Sequence, residues 1–208
     1  MRIQVLGRLD TINAVACSGG VDSMAILDFL RRARRPITAV YFNHGTEHGK
    51  EAQVFVAEHC AKHNIPLLIG KVERDRAKGE SLEQYWRNER YRFLESLDMN
   101  ITTAHHLNDL VETWLFTSFH GKTKFIPYRR GNVVRPFLLT PKAALEDWCK
   151  YKGIDFIQDP SNFDVHHARN RIRHRILPEV QHINPGILKR VASLYRKSGI
   201  MKDTTCKM

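Results

Sequence analysis

The sequence predicts an α/β fold: an open, mainly parallel sheet with helices on both faces, followed by a small helical C-terminal extension. Three observations carry this. Short apolar or β-branched runs alternate with amphipathic stretches at the spacing of strand-helix crossovers, which close right-handed onto a parallel sheet. Three stretches rich in chemistry, 18–23, 43–44 and 105–112, each follow a predicted strand, at the edge where ligands of open α/β sheets gather. The 208 residues suffice for one substantial core with an appendage. The division expected is 1–135 for the α/β part and 136–208 for a mainly helical, basic extension packed on it.

The first strand covers 12–17, with Val15 and Ala16 at its centre, and runs into Ser18-Gly19-Gly20. Glycines there permit backbone angles that other residues avoid and leave room for a ligand. Met24, Ala25, Leu27, Phe29 and Leu30 then recur at helical spacing up to Arg31, Arg32, Arg34 and Arg35, read as a solvated helix end before Pro36. Residues 37–42 are apolar or β-branched nearly throughout, as in a strand covered on both faces. Asn43 and His44 follow it, placed to approach a nucleotide or simply to form a turn. A helix over 50–63, a strand over 66–72 and a helix over 81–97 continue the alternation, with Ser81 and Gln84 spaced as a capping box. The strand over 101–104 leads into His105-His106 and a helix whose apolar face includes Leu115 and Phe116. Residues 119–131 read as an irregular basic loop, either contacting RNA or merely connecting. Pro141 is placed as a first-turn proline of a helix ending at Gly153; helices over 168–180 and 185–197 and a polar tail from Ser198 complete the chain.

Composition narrows the partners. Lys and Arg outnumber Asp and Glu by 33 to 22, a formal net charge of +11, which favours a polyanion because clustered cations release its counterions. Between Arg169 and Lys202 the only acidic residue is Glu179, so this part is expected to face RNA. No apolar run approaches the roughly 20 residues of a membrane span, and a cytoplasmic location without membrane attachment is expected. Cys17, Cys60, Cys149 and Cys206 are far apart, so no Cys-x-x-Cys pair offers metal or dithiol chemistry; Cys17 is expected to pack as a small buried hydrophobe.

Two stretches carry the chemistry. Ser18-Gly19-Gly20-Val21-Asp22-Ser23 joins a strand to a helix N-terminus, where unpaired amides and the helix dipole attract phosphate oxygens. It has neither the Lys of a Walker loop nor a G-x-G-x-x-G pattern. Its bland reading is a turn in which Asp22 and Ser23 cap the helix. In the second stretch, His105 and Asp109 are four apart and Asp109 and Glu112 three apart, on one helix face. Such a set could hold magnesium, bind an ammonium group or accept a proton, or its carboxylates could serve only the helix dipole.

Ser-Gly-Gly-x-Asp-Ser resembles the loop of the ATP pyrophosphatase (PP-loop) superfamily, and the chain as a whole is similar to the tRNA(Ile)-lysidine synthetases. That family pairs the loop with His-His-x-x-Asp-x-x-Glu-Thr, matched by His105, His106, Asp109, Glu112 and Thr113, and with Ala-Arg-x-x-Arg-Tyr, matched from Arg87 to Tyr91. Its Arg-Pro-Leu, Asp-Pro-Ser-Asn and Arg-Asn-x-x-Arg stretches resemble those beginning at Arg135, Asp159 and Arg169. Departures are Asn108 and Leu110 around Asp109, Thr46 in place of an arginine, and His120 before Gly121. The resemblance implies a Rossmann-like PP-loop nucleotide-binding domain over 1–135. It implies that ATP adenylates the C2 oxygen of cytidine 34 in a tRNA(Ile) with a CAU anticodon, and that free L-lysine then displaces AMP. Ser18, Gly19, Gly20 and Ser23 would hold pyrophosphate and Asp22 magnesium; Asn43 and His44 would lie by the nucleotide. His105 and Asp109 are implied at the adenylation and lysine site, Glu112 at lysine's ammonium groups, and Arg87 at the intermediate or the lysine carboxylate. Arg135, Arg169 and Arg173 are implied at phosphate or the tRNA backbone.

Rival readings are a tRNA thiolase, which the cysteine spacing does not support, and an amidotransferase-like synthetase, for which the chain leaves no room for a glutaminase domain. A third is a PP-loop module that binds RNA or protein without catalysis. A homodimer or a partner protein supplying tRNA recognition also remains open.

Overall fold

The computed structural model describes residues 2–9, 11–165 and 167–200; Cys206 and the end of the polar tail lie outside them. Among the described residues six strands form one sheet: β1 Ala14–Ala16, β2 Thr38–Asn43, β3 Leu67–Lys71, β4 Ile101–Thr103, β5 Arg129–Arg130 and β6 Val133–Val134. Their order is β3-β2-β1-β4-β6-β5, with only the β5-β6 pair antiparallel. The helices are α1 Val21–Arg32, α2 Glu47–Lys62, α3 Leu82–Ser96, α4 Leu107–Phe119, α5 Lys142–Lys152, α6 Ala168–Arg171, α7 Leu177–Ile183 and α8 Ile187–Lys197.

Residue alternation along the central strands builds the two layers. Val15, Ala39 and Tyr41 face α1 and α2 through Met24, Leu27, Ala52 and Val56. Ala14 and Val40 point the other way, to Tyr91 and Leu94 of α3. The expected helices on both faces are therefore present. Close approach of α3 requires a glycine in β3, because a Cβ on Gly70 would lie 2.5 Å from the ring of Phe93. On the first face α5 packs against α1: Leu145 and Cys149 join the same core as Met24 and Leu27, and the Trp148 indole donates to Asp28 at 2.9 Å. The core is thus continuous across residue 135. A third apolar cluster joins α4 to the C-terminal helices through Leu110, Leu115, Ile172, Leu177 and Val191.

Strand order changes direction at β1, which pairs with β2 on one side and β4 on the other. At such a switch point the two crossovers leave in opposite directions and open a crevice beyond the strands' C-terminal ends. The loop after β1 and the start of α4 flank that crevice.

Several boundaries differ from expectation. Residues 119–131 do not remain a loop throughout: β5 lies there, and with β6 it extends the sheet beyond β4. Two-residue strands are too short to show a period, and this hairpin is held from outside, by the Asn132 side-chain amide donating to the carbonyls of Leu94, Leu97 and Met99. The helix expected over 168–180 is broken by a π turn, Ile172–Ile176. Pro178 in the first turn of α7 lacks the N–H that a continuous α-helix would use. Pro141 occupies the cap of α5 and not its first turn, while Gly153 ends that helix with φ of 62°. Arg31 and Arg32 are not a purely solvated helix end, since both pair at 2.7 Å with fully buried Asp28. Burial opposes the Asp28 charge, but Arg31, Arg32 and Trp148 outweigh it and hold the carboxyl below its ordinary range.

Candidate active site

Between β1 and α1 the chain turns on Gly19, whose φ of 83° a side chain would disfavour. A Cβ there would also meet Ile157 at 3.1 Å, and the Ile157 amide donates to the Gly19 carbonyl at 3.0 Å. Gly20 is an ordinary extended cap with no side-chain hydrogen bond, so Asp22 and Ser23 do not cap α1. Ser23 braces the turn instead: its hydroxyl accepts the Ser18 amide at 3.1 Å and donates to the Gly20 carbonyl at 2.9 Å. Cys17 beneath it is buried, as expected.

Across the crevice, His106 caps α4. Its Nδ1 accepts the Asp109 amide at 3.3 Å, while Asp109 Oδ2 accepts the His106 amide at 2.9 Å. Reciprocal bonding of this kind satisfies two donors that a helix start leaves open. His106 Nε2 lies 3.5 Å from Asp22 Oδ2, linking the loop to α4. The second Asp22 oxygen, Oδ1, is buried without a hydrogen-bond partner. A buried bare carboxylate oxygen suits a hard cation such as Mg²⁺, so the residue expected to bind the metal fits it.

Electrostatics follow from this packing. Burial opposes a charge on His106, but Asp109, Asp22 and Glu112 prevail and raise its pKa. Burial likewise opposes the Asp109 charge, and His106, with its backbone amide, and Arg173 hold that carboxyl below its usual range. His105 goes the other way. Burial, helped by Arg135 and Arg90 against the pull of Asp109, lowers it to about 3, so the ring is neutral, with Nδ1 bonded to Thr103 Oγ1 at 2.7 Å. His44 packs against Phe42 and Trp86, and burial with the nearby Arg90 lowers it to about 4.

A cavity of about 760 Å³ opens at this edge. Ser18, Gly20, Asp22, Ser23, His44, His105, Asp109 and Arg173 line it together. Gly19 shapes the loop beside it. Other expected site residues are not on its wall. Asn43 braces the turn after β2, bonding Gln53 and the Gly45 amide. Glu112 is buried and taken by Arg173, with both guanidinium bonds at 2.9 Å; Arg173 also reaches Asp109 Oδ1 at 3.4 Å. Arg173 is thus held among carboxylates at the cavity wall. Arg169 is exposed over Phe116 at 5.6 Å and bonded to Thr113.

The structure places two further arginines away from the cavity wall. Arg135, expected at RNA, is 2% exposed and donates to the Pro127 carbonyl and the Tyr91 hydroxyl at 2.9 Å each; it braces the interior because the β5-β6 hairpin folds over it. Arg87, expected at the substrate, is exposed and lies over Tyr91 at 4.9 Å. Arg90, one turn on, lines the cavity and Arg87 does not. Burial lowers its pKa, and no carboxylate among the described residues pairs with it. Arg87 and Arg90 each stand one helical turn before a buried residue, Tyr91 and Leu94, so spacing could not separate them. His106 belongs to the matched motif, but the sequence assigns it no role of its own, because the four-residue spacing of His105 and Asp109 draws attention to its neighbour; its place in the His-His pair just beyond β4 is the available signal. The described cysteines are buried, with Cys60 and Cys149 pushed up to about 12 by burial, a poor setting for thiolate chemistry.

Comparison with known proteins gives the chain's family and fold. A family model described as a PP-loop domain matches residues 8–180. The tRNA(Ile)-lysidine synthase of Thermotoga sp. (strain RQ2) is 32% identical over 206 residues, covering 91% of this chain and 50% of the relative. That of Thermosipho africanus is 33% identical over 210 residues, covering 91% and 49%, and that of Haemophilus ducreyi 32% over 176 residues, covering 79% and 41%. The chain spans about half the length of the curated relatives it matches. Among solved structures, an NH3-dependent NAD synthetase from Campylobacter jejuni superposes with a TM-score of 0.50 at 12% identity, covering 97% of this chain and 90% of that one, a likeness of fold.

Proposed function

The chain belongs to the PP-loop family, and on that premise we propose that it is an ATP-dependent carbon-nitrogen ligase joining L-lysine to C2 of cytidine 34 in a tRNA(Ile) with a CAU anticodon. The relatives' names point to this reaction. The observation that carries it is the cavity where the phosphate-type loop, a bare Asp22 oxygen and the ionised Asp109 meet.

In this reading the α1 N-terminus and Ser18 bind the phosphates, and Asp22 Oδ1 would hold magnesium. Bound there, magnesium would offset the charge that develops on pyrophosphate as it leaves. Arg90, a half-buried cation on the cavity wall with no carboxylate partner among the described residues, takes the α-phosphate or the lysine carboxylate, the part expected of Arg87. Attack by the C2 oxygen on the α-phosphorus releases pyrophosphate and turns that oxygen into part of a good leaving group, AMP. The ε-amine of lysine then forms the C2–N bond as the C2–O bond breaks, and Asp109 takes the amine proton. Glu112, saturated by Arg173, positions that arginine beside Asp109. Neutral His105, with Nδ1 committed to Thr103, orients through its other nitrogen. Exposed Arg169, Arg171, Lys189 and Arg190 form the face offered to the tRNA backbone.

Transfer of radiolabelled lysine to a CAU-anticodon tRNA(Ile), with ATP and Mg²⁺, tests the proposal. Label on the tRNA that disappears with Asp22→Ala is the expected result. Absence of label despite tight tRNA binding would overturn lysidine synthesis by this chain and favour the non-catalytic module.

A further inference from the structure

His106 stands where the two sides of the cleft meet, and its ring nitrogens face different partners. It is 3% exposed. Nδ1 accepts the Asp109 amide, and a ring nitrogen that accepts an N–H carries no proton of its own. In the neutral ring this bond places the proton on Nε2. Nε2 lies 3.5 Å from Asp22 Oδ2, while Asp22 Oδ1 is left buried and bare. A helix cap alone would not call for histidine. Asn, Asp and Ser are the favoured caps, and none is long enough to bond the Asp109 amide and also reach across to α1.

We infer that His106 is a positioning residue: anchored at the start of α4, it holds Asp22 by one oxygen and turns the other toward the cation that accompanies the nucleotide. The phosphate loop and α4, separate in sequence, then present their carboxylates as one unit. The inference rests on the reading of Asp22 as a magnesium ligand and deepens it.

Two isosteric variants separate the ring's two functions. His106→Asn keeps an acceptor where Nδ1 stands, and so the cap, but loses the reach to Asp22. His106→Gln keeps a donor where Nε2 stands and loses the cap. The measurement is the affinity of the full chain for α,β-methylene ATP, by titration calorimetry with and without Mg²⁺, alongside the melting temperature. Magnesium should tighten wild-type binding. That tightening should fall on the order of 10- to 100-fold in His106→Asn, as for partners that orient metal ligands, and stay near wild type in His106→Gln. Melting temperature should follow the opposite order, with the Gln variant lower because its cap is lost.

Retention of the magnesium effect in His106→Asn, or its equal loss in both variants, would overturn the inference. Asp22→Asn supplies the control. If it leaves the magnesium effect intact, the metal reading of Asp22 fails and this inference with it; if it abolishes the effect while His106→Asn does not, only the positioning role fails.

Discussion

Arg173→Ala tests the electrostatic frame of the site most directly. Arg173 makes two 2.9 Å bonds to Glu112, whose side chain is 2% exposed against 29% for Arg173. Removing one partner of a buried pair costs about 3–5 kcal/mol, because the other charge is left without compensation. Access of water to Arg173 screens part of this, so about 2–3 kcal/mol is expected at pH 7. For a chain of this size that is a fall in melting temperature of roughly 4–12 °C.

The penalty should depend on pH. Burial and Asp109 raise the Glu112 pKa, and Arg173 is the main group opposing them; without the arginine the folded-state pKa rises further. Between the unfolded and folded values the native state then binds more protons, so the variant's stability falls as pH rises through that window and recovers as pH is lowered. Urea unfolding at pH 5 and pH 7 reads both effects. Adding Glu112→Gln to Arg173→Ala should restore part of the loss, since an amide carries no charge to strand. A cost below about 1 kcal/mol, equal at both pH values and unchanged in the double variant, would refute the reasoning.

Three further outcomes are expected. Arg90→Gln should weaken ATP or pyrophosphate binding by about 10- to 100-fold, the worth of a charge-assisted bond in a water-poor site, while Arg87→Gln leaves it nearly unchanged; calorimetric titration of both variants checks the exchange of roles. Gly19→Ala should cost about 1–2 kcal/mol for the left-handed backbone, with further loss from the contact at Ile157, and should impair nucleotide binding more than stability. The His44 ring, lowered to about 4 from 6.5, should stay neutral when titrated by NMR down to pH 5. Because its folded pKa lies below the unfolded one, stability should be lost as pH falls from 6.5 to 4, by about 1–2 kcal/mol after allowing for partial exposure; an apparent pKa above 6 would contradict its packing on Phe42 and Trp86.

Much of the fold was legible because its signals are local. The central strands and α1 to α5 announce themselves through apolar period, caps and breakers, each set by neighbours within a turn or a pleat. The 18–23 loop was legible for the same reason, since the amides, the glycine and the bracing serine lie within six residues. Short β5 and β6 left no comparable trace, being held by Asn132 contacts to α3's last turn and the loop that follows it.

The sequence by itself therefore determined the crossover architecture, the loop, and the residue types offered at the strand ends. Tertiary structure decided which of them meet. Arg90 rather than Arg87 reaches the cleft because the rotation of α3 is set by how Tyr91 and Leu94 pack on the sheet. Arg135 is interior because Tyr91, 44 residues away, and the Pro127 carbonyl beyond the β5-β6 turn both come to it. Glu112 is closed off because the C-terminal helices bring Arg173 onto α4. Period and spacing report only which side chains share a face; which face is covered, and by what, depends on contacts between residues far apart in the chain.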